Sequence, residues 1–551
     1  MQFKTADLSA APVVLSIRQL SVGLSGETTK VLDAISLDVR EGETACLVGE
    51  SGSGKSVTSL AVMGLLQKGS LEVTGGEIVL DGNDLLRLTP SQMRRIRAQR
   101  IAMIFQEPMT ALNPVMRVGE QIAEVLKTHT DMSAGDCKAR VLEIMEQVHL
   151  PEVPRIYRSY PHQLSGGQRQ RIMIAMALVL EPKLLIADEP TTALDVTTQA
   201  QILSLIAELQ ERHGTAVLFI THDMGVVAEV AHTVHVMQHG RIVEQAPVES
   251  LLRRPREDYT RTLLSSVPSL VPRHVRAESR QQEVLEVRGM RKVYGGNGWF
   301  LRRPGTLAAR DIDFSVVRGR TLGIVGESGS GKSTVARCIM RLVDPTEGEV
   351  RVAGIEIARL SRRALRPHRK HFQVVFQDPF RSLNPRWTIA MSLTEGPLNY
   401  GMRYSESFAR AEEMIELVGL PRDSLHRYPH QFSGGQRQRI AIARAIMMRP
   451  DVLVADEAVS ALDVSVQAQV LKLLGDIQQK LGVAILFITH DLRVAAQICD
   501  DVIVMQHGAI VEQGPAAAVL SAPRHEYTQQ LINAAPGRHW DFANFRELET
   551  A

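Results

Sequence analysis

Cysteine is scarce: four in 551 residues, with Cys46, Cys137, Cys338 and Cys499 far apart in the chain. That spacing builds neither a disulfide framework nor a metal site, so the expected state is buried, inert thiols with no iron–sulfur cluster. Long apolar runs are also missing. The longest, Ile172 to Leu180, falls well short of a membrane span and reads as a buried helix. Val13-Val14-Leu15 is too short for a signal-sequence core and continues into a strand pattern. An excess of charge is absent too: 63 Lys and Arg face 61 Asp and Glu, a net +2. The chain therefore carries no electrostatic footprint for nucleic acid, and no nucleic-acid partner is expected. Its 44% hydrophobic and 23% charged content is that of a soluble globular protein long enough for several domains. These absences place it in the cytosol.

What the chain does contain is an internal repeat. Lys55 pairs with Lys332, while Ser165, Glu189 and His222 pair with Ser433, Glu457 and His490 at one constant offset of 268 positions. A repeat of this length is a duplicated domain rather than a solenoid unit. The expected division is 1–270, a polar linker 271–283 containing Pro272, Arg273 and Arg276, and 284–551. Within each half, apolar strands alternate with helical patterns. Thr44 to Val48 ends in a glycine loop, Leu184 to Ala187 in two acids, and Ala216 to Ile220 in Thr221-His222. Continuous apolar strands predict a parallel sheet buried on both faces, with function at the carboxyl ends. Ser91 to Gln168 reads as mostly helical, a second lobe.

The glycine loop reads Gly49-Glu-Ser51-Gly52-Ser-Gly54-Lys55-Ser56 in the first half and Gly326-Glu-Ser328-Gly329-Ser-Gly331-Lys332-Ser333 in the second. Glycines at these positions let the backbone wrap phosphates, the lysine reaches the β/γ oxygens, and the serine ligates magnesium. A second glycine stretch, Ser165-Gly166-Gly167-Gln168, opens a helical run and recurs as Ser433-Gly434-Gly435-Gln436. Backbone N–H groups at such a helix start form an anion site. Two anion sites per half point to one serving a nucleotide held by the other half.

These stretches resemble the ATP-binding-cassette ATPases over nearly the whole chain. The implied fold is α/β: two tandem ABC nucleotide-binding domains, each a P-loop (RecA-like) α/β core with an antiparallel β part and an α-helical subdomain. The resemblance implies that each signature stretch closes over the ATP of the opposite cradle. It assigns Asp188 and Asp456 to magnesium, with Ser56, Ser333, Gln106 and Gln377, and it assigns Glu189 and Glu457 to the attacking water. Gln106 and Gln377 match the Q-loop, His222 and His490 the switch histidine, and Asp195 and Asp463 the loop that crosses the dimer seam. Tyr294 lies where the family stacks an aromatic on adenine, but the first half has Leu24 there. Similarly, Val57 stands where the second half has Thr334. The first ATP site is therefore expected to bind more weakly, the alternative being that another side chain covers the adenine there. Asp456-Glu457-Ala458-Val459 also departs from Asp188-Glu189-Pro190-Thr191, yet keeps the acid.

Gly49 to Ser56, Met103 to Pro114, Tyr160 to Gln168, and the tails Tyr259-Thr-Arg-Thr-Leu-Leu264 and Tyr527-Thr-Gln-Gln-Leu531 are similar to the oligopeptide/dipeptide/nickel importer group, especially its fused glutathione- and microcin-type members. That implies an ATP- and magnesium-dependent importer subunit for peptide-like solutes, peripheral on the cytoplasmic face of the inner membrane. Its partners would be two integral membrane permease subunits and an extracytoplasmic solute-binding protein. Two other branches fit less well. Ribosome-binding translation ATPases carry long charged linkers, and chromosome-structuring ATPases insert coiled coils where this chain has only 116 positions between Gly49 and Ser165.

Overall fold

The computed structural model describes residues 8, 10–192, 194–273, 282–295, 305–460 and 462–548. Two compact units result: 1–267 together with 539–551, and 268–538.

In the first unit an antiparallel sheet orders strands Lys30–Arg40, Val13–Leu24, Leu71–Leu80 and Asn83–Asp84. A six-stranded sheet follows the order Arg241–Pro247, Thr233–Gln238, Thr44–Val48, Ala216–Thr221, Leu184–Asp188, Ile101–Ile104. Its neighbours are parallel except the Arg241–Pro247 edge, which returns antiparallel through a hairpin. The second unit repeats both sheets, with Phe372–Val375, Val452–Asp456, Ala484–Ile488, Thr321–Val325, Asp501–Gln506 and Ala509–Pro515 in the larger one.

The apolar strands are continuous because both faces are covered. In Val452–Asp456, Val452 and Val454 join one core with Val284, Leu285 and Ile312 of the antiparallel sheet. Leu453 and Ala455 point the other way, into a core shared with helical residues such as Ile440 and Leu474. At the strand's end the apolar run stops and the acids begin.

Ile101–Ile104 departs from the helical reading of Ser91 to Gln168. It is an edge strand of the large sheet, fully buried and parallel to Leu184–Asp188. A four-residue apolar run carries no period that separates strand from helix, so only the tertiary pairing decides. The helical lobe begins after it, with Val118–His129, Ala134–Gln147 and Gly166–Leu178. All four cysteines are buried and free, and burial pushes up the thiols of Cys46, Cys338 and Cys499, that of Cys338 to about 11.

The segment read as a linker is tied down at its start. The Arg273 amide donates to the Ala496 carbonyl, and its guanidinium lies 2.6 Å from the buried Asp500 carboxylate. Residues 274–281 of that segment lie outside the described residues, and Glu283 at its end opens strand Glu283–Tyr294. The chain's last described stretch returns to the first unit. Trp540–Asp541 and Arg546–Glu547 form a small hairpin, and the turn Phe542–Asn544 between them packs on helix Asp258–Ser265. Arg253 lies 5.4 Å from the Trp540 ring centre and 2.8 Å from Glu547. Phe542 is 2% exposed, so its apolar burial, not the exposed ion pair, carries the attachment. Phe542→Ala should therefore cost about 3–5 kcal/mol and remove amide-exchange protection from 258–265 while leaving the second unit's exchange unchanged. Unaltered exchange at 258–265 would show that the segment contributes nothing to the first unit.

Candidate functional site

The cradle follows directly from strand Thr44–Val48. Gly49 turns at φ 149°, and a Cβ there would lie 2.2 Å from the Met237 carbonyl oxygen; Gly326 repeats this at φ 146° against Met505. No other residue fits. The loop ends at helix Lys55–Val62, or Lys332–Ile339, whose first N–H groups line the turn. Lys55 is buried, and its Nζ donates to the carbonyls of Gly49 at 2.7 Å and Glu50 at 2.8 Å. Lys332 does the same to Gly326 and Glu327, both at 2.7 Å. The buried hydroxyls of Ser53 and Ser330 have no hydrogen-bond partner among the described residues. A buried ammonium, turned amides and an orphan hydroxyl make a polyanion pocket that phosphate oxygens fit.

The acids stand at the neighbouring strand end. Asp188 accepts from the hydroxyls of Ser56 and Ser59, each at 3.3 Å, and Asp456 from Ser333 at 3.5 Å. Burial raises both aspartates above the usual carboxylate range, with the adjacent glutamate adding to the rise. A serine hydroxyl and one buried carboxylate form a hard-oxygen set suited to magnesium shared with phosphates, and no cluster of three or more His, Cys, Asp or Glu that could hold a metal occurs among the described residues.

Glu189 sits at φ 46° and Glu457 at φ 49°, a conformation that side chains rarely adopt. Its carboxylate receives His222 Nδ1 at 2.9 Å, Gln106 Nε2 at 2.8 Å and Thr192 Oγ1 at 3.0 Å. Burial works to raise its pKa, but the His222 contact prevails and lowers it to about 2. In the second unit Gln377 Nε2 donates to Glu457 at 2.7 Å, and His490 stands at 3.7 Å, an ion-pair distance rather than a hydrogen bond. His490 still lowers the Glu457 carboxyl. Ser460, in the place of Thr192, turns its hydroxyl to the Glu457 backbone carbonyl at 3.0 Å.

Each unit thus brings together Lys55, Ser56, Asp188, Glu189, Gln106 and His222, or their counterparts, at the carboxyl ends of parallel strands. The signature residues occupy other positions. Ser165 caps helix Gly166–Leu178 in a reciprocal box with Gln168, at 3.3 and 3.1 Å, and Ser433 does so with Gln436 at 3.3 and 3.0 Å. Gln168 and Gln436, read as nucleotide contacts, have their side-chain oxygens in these caps. A Cβ on Gly167 would strike Thr198 at 2.7 Å, and one on Gly435 would strike Val466 at 2.3 Å, whereas Gly434 faces open space. Asp195 caps helix Val196–His213 through Thr198 N at 2.9 Å, and Asp463 precedes Val464–Leu481. Ala193 and Ala461, beside them, lie outside the described residues. Leu24 and Tyr294 end equivalent strands, Val13–Leu24 and Glu283–Tyr294. Tyr294 is 39% exposed with Lys292 Nζ 5.0 Å from its ring centre. Thr192, Ser59 and Ser53 escaped the sequence reading. Thr192 had a signal, a hydroxyl three residues after the acid.

Comparison with known proteins follows this geometry. A family profile described as ABC transporter matches residues 32–192 and 309–460. A second, described as oligopeptide/dipeptide transporter, C-terminal region, matches 243–302 and 511–546. The glutathione import ATP-binding protein GsiA of Salmonella typhimurium is 46% identical over 557 residues, 95% of this chain and 89% of its own. The peptidoglycan transport ATP-binding protein YejF of Agrobacterium fabrum is 45% identical over 95% and 96%. Among solved structures, cbiO1 of Clostridium perfringens aligns with 44% of this chain and 92% of its own, at 28% identity and a TM-score of 0.39.

The Glu189–His222 contact has a signed consequence. A folded-state pKa lowered from 4.5 to about 2 adds stability that is present above pH 4.5 and lost as pH falls through about 2. His222→Ala removes the group holding the carboxyl down. The stability gap between wild type and variant, measured by denaturant unfolding, should be fully present just above pH 4.5 and should close as pH falls from 4.5 towards 2. A gap that stays constant over that range would show that the histidine does not set the glutamate's titration.

Proposed function

The chain belongs to the ABC transporter ATPases, and on that premise we propose that each cassette binds ATP with magnesium and hydrolyses it to drive import of peptide-like solutes through separate permeases. One observation carries the proposal. In both cassettes a glutamate at a strained backbone position, oriented by a glutamine and faced by a histidine, ends the strand beside a lysine-containing phosphate cradle. Lys55 and Lys332 turn from loop carbonyls to phosphate oxygens, and the orphan Ser53 and Ser330 hydroxyls gain acceptors. Ser56, Asp188 and Gln106, with Ser333, Asp456 and Gln377, would hold magnesium, which when bound neutralises phosphate charge. Glu189, with its pKa near 2, stays ionised at any physiological pH. So weak a base orients and polarises water more than it removes a full proton, which suits the loose transition state of phosphoryl transfer. His222 and His490 would sense the γ-phosphate.

The sites are composite in this reading: Ser433, Gly434 and Gly435 serve the ATP on Lys55, and Ser165, Gly166 and Gly167 the ATP on Lys332. Tyr294 would stack on adenine in the second cassette, with Leu24 offering weaker contact in the first.

Relatives named for glutathione and for peptidoglycan transport support peptide-like cargo. Two integral membrane permeases and an extracytoplasmic binding protein complete the assembly, and the ATPase lies against the cytoplasmic face of the inner membrane. Phe380 at 62% and Met391 at 50% exposure, after the Q-loop of the second cassette, fit a permease helix docking there, as does Val115 at 82% in the first.

Glu189→Gln combined with Glu457→Gln should lower ATP turnover at least about a hundredfold while leaving nucleotide affinity within a few-fold of wild type. Turnover at the wild-type rate would mean that neither glutamate handles the water.

A further inference from the structure

The tyrosines of the C-terminal tails, Tyr259 and Tyr527, play no part in the site described above, yet both reach it. The Glu50 N–H donates to the Tyr259 hydroxyl at 3.2 Å, and the Glu327 N–H to the Tyr527 hydroxyl at 3.0 Å. These amides belong to the peptide units Gly49–Glu50 and Gly326–Glu327. The carbonyl of each unit accepts the cradle lysine, Lys55 on Gly49 and Lys332 on Gly326, both at 2.7 Å. One peptide plane is therefore held at its N–H by the tail and at its C=O by the phosphate-binding lysine. The glycine before the plane sits at φ near 150°, so side-chain sterics do little to fix the plane's orientation. The hydroxyl supplies that restraint.

The tyrosine is itself held from the sheet. The buried Glu244 carboxylate, on strand Arg241–Pro247, accepts the N–H of Arg256 at 2.8 Å and of Glu257 at 3.1 Å. Helix Asp258–Ser265 starts immediately after, with Tyr259 as its second residue and the fully buried Thr260 behind it. Glu512 accepts from Arg524 at 2.9 Å and His525 at 3.2 Å, ahead of helix Glu526–Ala534, where Tyr527 is again second. The two helices differ at Arg261-Thr262 against Gln529-Gln530 and at Leu264 against Ile532, but both keep the carboxylate, the tyrosine and its bond to the loop.

We propose that Tyr259 and Tyr527 are positioning residues for the nucleotide: the tail of each cassette pins the first peptide of the phosphate loop so that the lysine and the following amides are presented to phosphate. The proposal rests on the reading that these cradles bind ATP. When phosphate draws the lysine away from the loop carbonyls, the hydroxyl still keeps the peptide from rotating into the pocket. Without it, a partly buried amide loses that hydrogen bond and the plane turns more easily.

The test uses the full-length chain with Tyr259→Phe and Tyr527→Phe combined, which keeps both rings and removes only the hydroxyls. Affinity for a fluorescent ATP analogue and the KM for ATP should each weaken by about three- to tenfold, with kcat changed much less. A tail that merely stabilises the fold would lower the fraction of active protein, hence kcat, at unchanged KM. Glu244→Gln with Glu512→Gln, which loosens the helix without touching the hydroxyl, should raise KM in the same direction by a smaller factor, and this variant decides the matter if the phenylalanine protein is insoluble. KM and affinity within twofold of wild type in the soluble variants would overturn the positioning role. Wild-type protein that binds no ATP would overturn the parent reading instead, and this inference with it.

Discussion

Two carboxylates, Asp188 and Glu189, stand side by side where one buried strand ends, and the surrounding structure treats them differently. Their environments pull them apart. Burial raises Asp188 and is answered by two serine hydroxyls at 3.3 Å and by the charge of Lys55, whereas His222 above all, with Thr192 and Lys55, holds Glu189 down against its burial. Two neighbouring acids with separated titrations take two roles: Asp188, short of compensation, is suited to a cation, and Glu189, permanently ionised, to a water. The parallel sheet makes this possible because its central strands are covered on both faces and change from apolar to acidic at their last residue.

The duplication offers an internal comparison. Both units keep the turned glycine, the lysine on loop carbonyls, the capped signature helix and the glutamate at positive φ. They differ in how tightly the glutamate is held: Glu189 has a hydroxyl from Thr192 and a histidine at 2.9 Å, while Glu457 has neither that hydroxyl nor so close a histidine. This difference lies at the water-handling end of the site, whereas the Leu24 and Tyr294 difference lies at the strand ends proposed to face adenine. The two units therefore diverge at both ends of the nucleotide they are proposed to hold, and at the residue after the cradle serine, Val57 against Thr334.

Much of this was legible in the sequence because backbone-wrapping glycines and strand-ending acids leave strong local patterns. The two-unit α/β architecture and the strands Thr44–Val48, Leu184–Asp188 and Ala216–Thr221 follow from apolar runs that stop at polar motifs. The strand Ile101–Ile104 was hidden because four apolar residues carry no period, and its identity rests on pairing with a strand more than eighty residues away. Gln168 and Gln436, read as ligand contacts, also cap their helices, a role visible in the Ser-x-x-Gln spacing. The return of 539–548 to the first unit left no local signal at all, since nothing in that segment states which surface it covers. The tyrosine bond to the phosphate loop was equally silent, because it joins residues some two hundred positions apart.

The central claim is that one chain carries two complete ATP sites. Its most direct test is the number of ATP molecules bound per chain at saturation, measured by equilibrium dialysis with a non-hydrolysable analogue and magnesium. The native chain should bind two, and Lys55→Ala and Lys332→Ala one each. A native chain that saturates with one nucleotide or none would contradict it.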